Sequence, residues 1–216
     1  MFSEKLEYFD ISPEISPQLA VFPGDQVFER EIALDFKKGN HLLLSQIRAT
    51  LHLGAHVDAP NHYHSAGAGI EARGLNYYLG DCQVIEVNLP RGERIYPSNI
   101  EGKKIQAPRI LFKTKSFPNP NQWNGDFNSL SPELVEYLAS KKVILIGIDT
   151  PSIDLADDQI LPSHQAIYRQ DMAVLEGVVL SEIAEGLYTL VALPLKIKSA
   201  DASPVRAILL PIGKLK

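Results

Sequence analysis

Apolar residues fall along this chain in short runs separated by turn formers. Leu42 to Leu53, Gln83 to Asn88, Arg109 to Thr114, Val143 to Asp149, Thr189 to Leu195 and Val205 to Leu210 all read as strands. Several are continuously apolar, Val143-Ile-Leu-Ile-Gly-Ile148 among them, which marks strands buried on both faces. The clearest helix runs from Pro132 to Ser140. Ser131 supplies an N-cap, Pro132 takes the favoured first position, and Leu134, Val135, Leu138 and Ala139 form the apolar stripe. A second, shorter helix is expected after Asp171, where Met172, Leu175 and Val179 have helical spacing, although Gly177 weakens it. Between Pro118 and Gly125 the chain is rich in Pro, Asn and Gly and reads as a surface loop. No repeat, low-complexity tract or long linker divides the chain. The pattern predicts one α/β domain over residues 1–216 with a mixed, strongly curved sheet.

One segment breaks the apolar monotony, His52-Leu-Gly-Ala-His56-Val-Asp58-Ala-Pro-Asn-His62, which holds half of the chain's six histidines. His52, His56, Asp58 and His62 are even-numbered, while Leu51, Leu53, Ala55, Val57 and Ala59 are odd. That is the period of a strand with one apolar and one polar face. Imidazole and carboxylate are also the ligands that zinc or manganese accepts. On a straight strand His52 and His56 would stand about 13 Å apart, at about 3.3 Å per residue, too far to share an ion. A bend at Gly54, which lacks a Cβ, is therefore expected. Pro60 should then end the pairing and turn His62 back toward the site. A helical metal motif is disfavoured by Gly54 and Pro60, and no Glu follows His52.

Composition narrows the function classes. At 216 residues, 45% hydrophobic and 22% charged, the chain is long enough to bury a core. A net charge of -5 and the lack of a basic cluster give no reason to expect nucleic acid. Met1-Phe-Ser-Glu-Lys-Leu-Glu7 carries no basic stretch followed by an apolar one, so no secretory signal is expected. No apolar run is long enough to span a bilayer, and a cytoplasmic location follows as an expectation. The single cysteine, Cys82, reads as a buried strand residue. No Gly-x-Ser-x-Gly elbow points to a serine hydrolase, and Gly67-Ala-Gly69 is too short for a phosphate loop.

More distant residues could complete a site. Glu176 sits among apolar residues in Ala173-Val-Leu-Glu-Gly177, where a buried charge would need a cation. Equally, it could face solvent on an amphipathic helix. His164, in Leu161-Pro-Ser-His164, by itself reads as a capping or loop histidine. His64 reads as surface or outer support, His41 as part of a turn, and Asp149 as either functional or a self-bonded turn.

The motif His52-x-Gly54-x-His56-x-Asp58-x-Pro60-x-His62 resembles the signature of the cyclase-like metal hydrolases. Val21-Phe-Pro-Gly-Asp25, Tyr78-Leu-Gly80, Gly147-Ile-Asp-Thr-Pro-Ser152, Leu175-Glu-Gly177, Ala192-Leu-Pro-Leu195 and Asp201-Ala-Ser-Pro-Val-Arg206 are similar to blocks of the kynurenine formamidase branch, in the same order. The resemblance implies a swivelling β/β/α layout, usually a homodimer, and hydrolysis of the small molecule N-formyl-L-kynurenine. It implies two divalent ions, zinc or manganese. His52, His56 and Asp58 would hold the first, Asp58 and His164 the second, and Glu176 would contact both. His62 would be the acid/base residue, and Phe22, where the family usually has Trp, would line the substrate pocket. Ala55 stands where the motif usually has Thr. A relative that opens a cyclic amide such as isatin, or a non-catalytic metal or ligand binder, are the alternative outcomes.

Overall fold

A computed structural model describes residues 7–213; the N-terminal residues 1–6, part of the stretch read for a secretory signal, lie outside it. In chain order the elements are β1 (Phe9–Asp10), β2 (Glu29–Leu34), β3 (Leu44–Arg48), β4 (His56–Asp58), α1 (Pro60–Tyr63), β5 (Leu79–Glu86), β6 (Arg94–Ile95), β7 (Arg109–Lys113) and β8 (Ser129–Leu130). Then come α2 (Pro132–Ser140), β9 (Leu145–Ile148), α3 (Pro162–Arg169), β10 (Ala173–Glu176), β11 (Gly186–Val191), β12 (Ala202–Pro204) and β13 (Ile208–Pro211). Nine strands form one curled mixed sheet in the order β1-β13-β11-β5-β7-β9-β10-β4-β12. Its centre, β5-β7-β9-β10, is parallel, and antiparallel strands flank it on both sides.

The central strands explain their own apolar runs. Leu111, Leu145, Ala173 and Leu175 pack on one face, while Ile110, Phe112, Ile146, Ile148 and Val174 pack on the other. The second face is covered by α2 and α3 through Leu134, Leu138, Ala166 and Ile167. With both faces buried, β9 and β10 show no alternation between apolar and polar. Cys82 lies fully buried in β5, as expected of it.

The helix at Pro132–Ser140 forms as read, with the Ser131 hydroxyl accepting from the N–H of Leu134. The helix expected after Asp171 does not form. That segment is strand β10, whose four residues are all buried. Between β9 and β4 every position of a strand faces the core, so a four-residue apolar run satisfies helical and extended spacing alike. The nearby helix is instead α3, just upstream. The strand read over Leu42 to Leu53 is also shorter. β3 stops at Arg48 and pairs only with β2, as an exposed two-stranded sheet.

Parallel strands place their carboxyl ends on one edge of the sheet, and that edge is where open α/β sheets bind ligands. Glu86, Lys113, Ile148 and Glu176 end β5, β7, β9 and β10 there. Because β4 runs antiparallel to β10, with His56 opposite Glu176, its first residue lies on the same edge.

Candidate metal centre

Two glycines bring the carriers of the site together. Gly54 turns the chain at φ 57°, the bend the histidine spacing demanded. Gly177, at φ 65°, follows Glu176 and lies so close that a Cβ there would stand 2.1 Å from the Gly54 carbonyl oxygen. A side chain at Gly177 would therefore separate the strand carrying His56 from the strand carrying Glu176. The period-2 reading holds for His56 and Asp58 on β4. It ends at Pro60, which opens the one-turn helix α1 and swings His62 toward His52, ring centroids 4.1 Å apart.

Five of the expected ligand residues converge. His52 Nδ1 lies 3.0 Å from Asp58 Oδ1, and His56 Nε2 lies 3.5 Å from the same oxygen. His164 Nε2 approaches Asp58 Oδ2 at 3.2 Å and Glu176 Oε1 at 3.4 Å, while Glu176 Oε2 is 3.2 Å from His56 Nε2. Potential ligand atoms gather in three sets: His52, His56 and Asp58; Asp58, His164 and Glu176; and His52, His62 and Asp201. Asp58 is common to the first two. Glu176 is buried at the end of β10, so the exposed amphipathic-helix alternative fails.

Backbone and side-chain partners orient the imidazoles. A carbonyl only accepts, so the Nδ1–H of His56 donates to the Gly54 carbonyl (2.9 Å) and leaves Nε2 with its lone pair on the cluster. His164 is not a loop histidine but lies buried in α3. Its Nδ1 is 2.8 Å from Asp154, a fully buried carboxylate that also accepts the N–H groups of Ser163 and His164. Arg94 braces Asp154 at 3.1 Å and donates to the Leu130 carbonyl. Asp201 sits 3.0 Å from His52 Nε2 and 3.9 Å from His62 Nδ1.

The electrostatics follow from this crowding. Burial pulls His52 toward the neutral form, yet the charge of Asp58 at 3.0 Å and the hydrogen bond with Asp201 raise its pKa to about 9. Burial likewise opposes charge on His164, but Asp154, Asp58 and Glu176 hold its pKa well above the ordinary value. For Asp58 burial pushes upward, and the charge of His52 with the hydrogen bond of His164 wins, keeping it well below the carboxylate range. Burial and the Asp58 charge both raise Glu176, and close contact with the His164 and His56 imidazoles reverses the shift. His62 moves the other way, lowered chiefly by burial.

The buried atoms themselves test whether a metal fits. His56 Nε2 and Asp58 Oδ1 are buried without a hydrogen-bond partner among the described residues. Leaving such groups unmet costs about 1–3 kcal/mol each, and a cation between them would satisfy both. Imidazole plus carboxylate is a donor set that suits borderline divalent ions.

A cavity of about 500 Å³ opens over the cluster. Phe22, Leu19, Val21, Phe117, Pro118 and Leu161 are among the apolar residues of its wall, and His62 lines it too. Phe22 packs edge-on against Trp123, centroids 4.7 Å apart, so an indole from the 118–125 loop backs the position expected to carry one. Ala55 is buried and has no hydroxyl to offer. His64 makes no contact with the cluster and instead stacks on Tyr168 at 3.8 Å.

The chain belongs to the cyclase family. The model of the family described as "Putative cyclase" matches residues 9–155. The kynurenine formamidase of Bordetella petrii is 42% identical over 206 residues, which cover 95% of this chain and 98% of that protein. A "predicted metal-dependent hydrolase" from Bacillus stearothermophilus shares 27% identity at a TM-score of 0.80, covering 95% of this chain and 98% of the other. Isatin hydrolase A from Labrenzia aggregata superimposes at a TM-score of 0.80 with 19% identity, over 95% and 93% of the two chains; at that identity it shows the shared fold alone.

Reading the sequence missed Asp154 and Asp201. Asp154 carried the signal that flagged Glu176, a carboxylate among apolar neighbours, in Ser152-Ile-Asp-Leu155. Asp201 opens a block already noted, but nothing in its surroundings points to His52.

Proposed function

We propose that this chain is a metal-dependent arylformamidase that hydrolyses N-formyl-L-kynurenine to L-kynurenine and formate. The observation that carries the reading is the convergence of His52, His56, Asp58, His164 and Glu176 with His62 beside them, in a chain 42% identical to a kynurenine formamidase. His52, His56 and Asp58 would hold one divalent ion, and Asp58 and His164 a second, with Glu176 serving both. Zinc is the first choice, and manganese accepts the same donors. When bound, such ions polarise a carbonyl oxygen and bring the pKa of water toward ~7.

The chain's own residues do the rest. The apolar wall around Phe22 packs the substrate's aromatic ring. His62, on the rim of the cluster, takes a proton from the attacking water as the C–O bond forms. It returns that proton to the nitrogen as the formyl C–N bond breaks, releasing an aryl amine and formate. Asp201, close to both His52 and His62, orients the pair.

We further infer a cytoplasmic homodimer. Among the described residues no helix is long and apolar enough to cross a membrane. Ile32 and Ile47 share one face of the β2–β3 pair and are exposed, as is Phe36 in the connection. A two-stranded pair is marginal by itself in water, and a second copy would cover that face.

The test is hydrolysis of N-formyl-L-kynurenine by purified protein, before and after chelation, with zinc or manganese restored. Turnover that disappears and returns with metal supports the assignment. Metal binding without turnover overturns the substrate and directs attention to cyclic amides.

A further inference from the structure

Around the cavity the charged lining outside the histidines is anionic but for one residue. Asp25, Asp149, Glu176 and Asp201 contribute carboxylates, and among the described residues Lys115 is the only lysine or arginine on the wall. Lys115 follows β7 at the sheet edge where the parallel strands end. Its backbone sits at φ 59°, in the left-handed region that non-glycine residues seldom enter. A buried acid holds it there. The Asp149 carboxylate accepts the N–H groups of Thr114 and Lys115, each at 2.9 Å, and the Thr114 hydroxyl at 2.6 Å. Strained backbone maintained by its surroundings is concentrated where a side chain must be aimed.

The local charge count points the same way. Lys113 and Lys115 both contact one carboxylate, Glu86. Lys113 is buried and also donates to the Ile183 carbonyl at 2.8 Å, so it is fixed in place. One positive charge in this trio is left uncompensated. The member able to carry it to a ligand is Lys115, whose side chain is 49% exposed.

We propose that Lys115 determines substrate specificity by binding the α-carboxylate of an amino-acid substrate, while the aryl formamide end reaches the histidine–carboxylate cluster. The assignment rests on the formamidase reading above and names the part of the substrate that reading leaves unplaced. An ammonium on a flexible stem suits this role, since it can turn from Glu86 to an incoming carboxylate without moving the strained turn.

The experiment compares N-formyl-L-kynurenine with 2′-formamidoacetophenone, which keeps the ring, ketone and formamide but lacks the amino-acid group. Lys115→Met should lower kcat/KM for N-formyl-L-kynurenine by about 10–100-fold, the range a charge-assisted hydrogen bond supplies. The loss should fall mainly on KM. Turnover of 2′-formamidoacetophenone should be unchanged, and Lys115→Arg should keep most of the discrimination. Equal losses on both substrates, or none on either, would overturn the proposal. Calorimetric binding of L-kynurenine and 2′-aminoacetophenone gives a readout free of catalysis. If the wild type hydrolyses neither formamide, the formamidase reading fails. Binding still decides the role of Lys115: weaker L-kynurenine binding in Lys115→Met with 2′-aminoacetophenone unaffected upholds it, and identical affinities overturn it.

Discussion

Two carboxylates stand behind histidines of the site in opposite surroundings. Asp154 is fully buried, accepts two backbone N–H groups, is braced by Arg94, and faces Nδ1 of the equally buried His164. Asp201 has a side chain 49% exposed and faces His52 and His62 at the cavity mouth. Behind His164 the contact of Nδ1 with Asp154 fixes one ring orientation. Beside His62 it keeps solvent, room and an imidazole lowered in pKa by its partial burial. The inner half is built to hold, and the outer half to exchange.

Substitutions can break this division. Asp58, shared by both inner ligand sets, is the most sensitive point. Asp58→Ala should reduce bound metal to background by elemental analysis and abolish measurable turnover. Next comes His62→Ala, which should cut kcat by about 10²–10⁴-fold, the usual worth of a positioned acid/base, with metal content intact. Loss of metal in that variant would place His62 among the ligands, as the His52, His62 and Asp201 grouping allows.

Asp154→Asn puts an amide where four donors converge, the N–H groups of Ser163 and His164, the His164 ring and Arg94, so at least one of them must lose its acceptor. Metal affinity in a competition titration should fall about 10–100-fold, as it does when the outer partner of a ligand is removed. Asp201→Asn should have the smallest effect. Exposed charge pairs contribute at most about 1 kcal/mol, so turnover should drop less than about 5-fold, with full metal content. Should Asp201→Asn prove the more damaging of the two, the inner and outer roles would have to be exchanged.

Much of this site could be read from residue order, and the exceptions have physical causes. The even spacing from His52 to His62, with Gly54 and Pro60 inside it, led to the bend and the return of His62 that the structure displays. Ser131 and Pro132 fixed the start of α2 because capping is a local interaction. β10 was misread because burial on both faces erases the alternation that distinguishes strands. The helix α3 escaped notice because its amphipathic pattern, with His164, Ala166 and Ile167 inward, is short and strongly polar. Asp154, ten residues before His164, carries the same signal as Glu176, whereas Asp201 was invisible for a different reason: His52 lies 149 residues away in sequence, and no spacing rule connects the two. Lys115 belongs to the same class, since its position depends on Asp149 from the next strand.

The register that sets His56 opposite Glu176 joins an early part of the chain to a late one, across the contact between Gly54 and Gly177. Closing so long a loop slows the search for the native state. Until β4 has docked on β10, the two halves of the ligand set belong to separate pieces of chain. A bound ion would then favour only the finished protein, raising its melting temperature in proportion to the logarithm of ion concentration. A Gly177→Ala chain, with its clash at that seam, should depend on such an ion to remain folded at all.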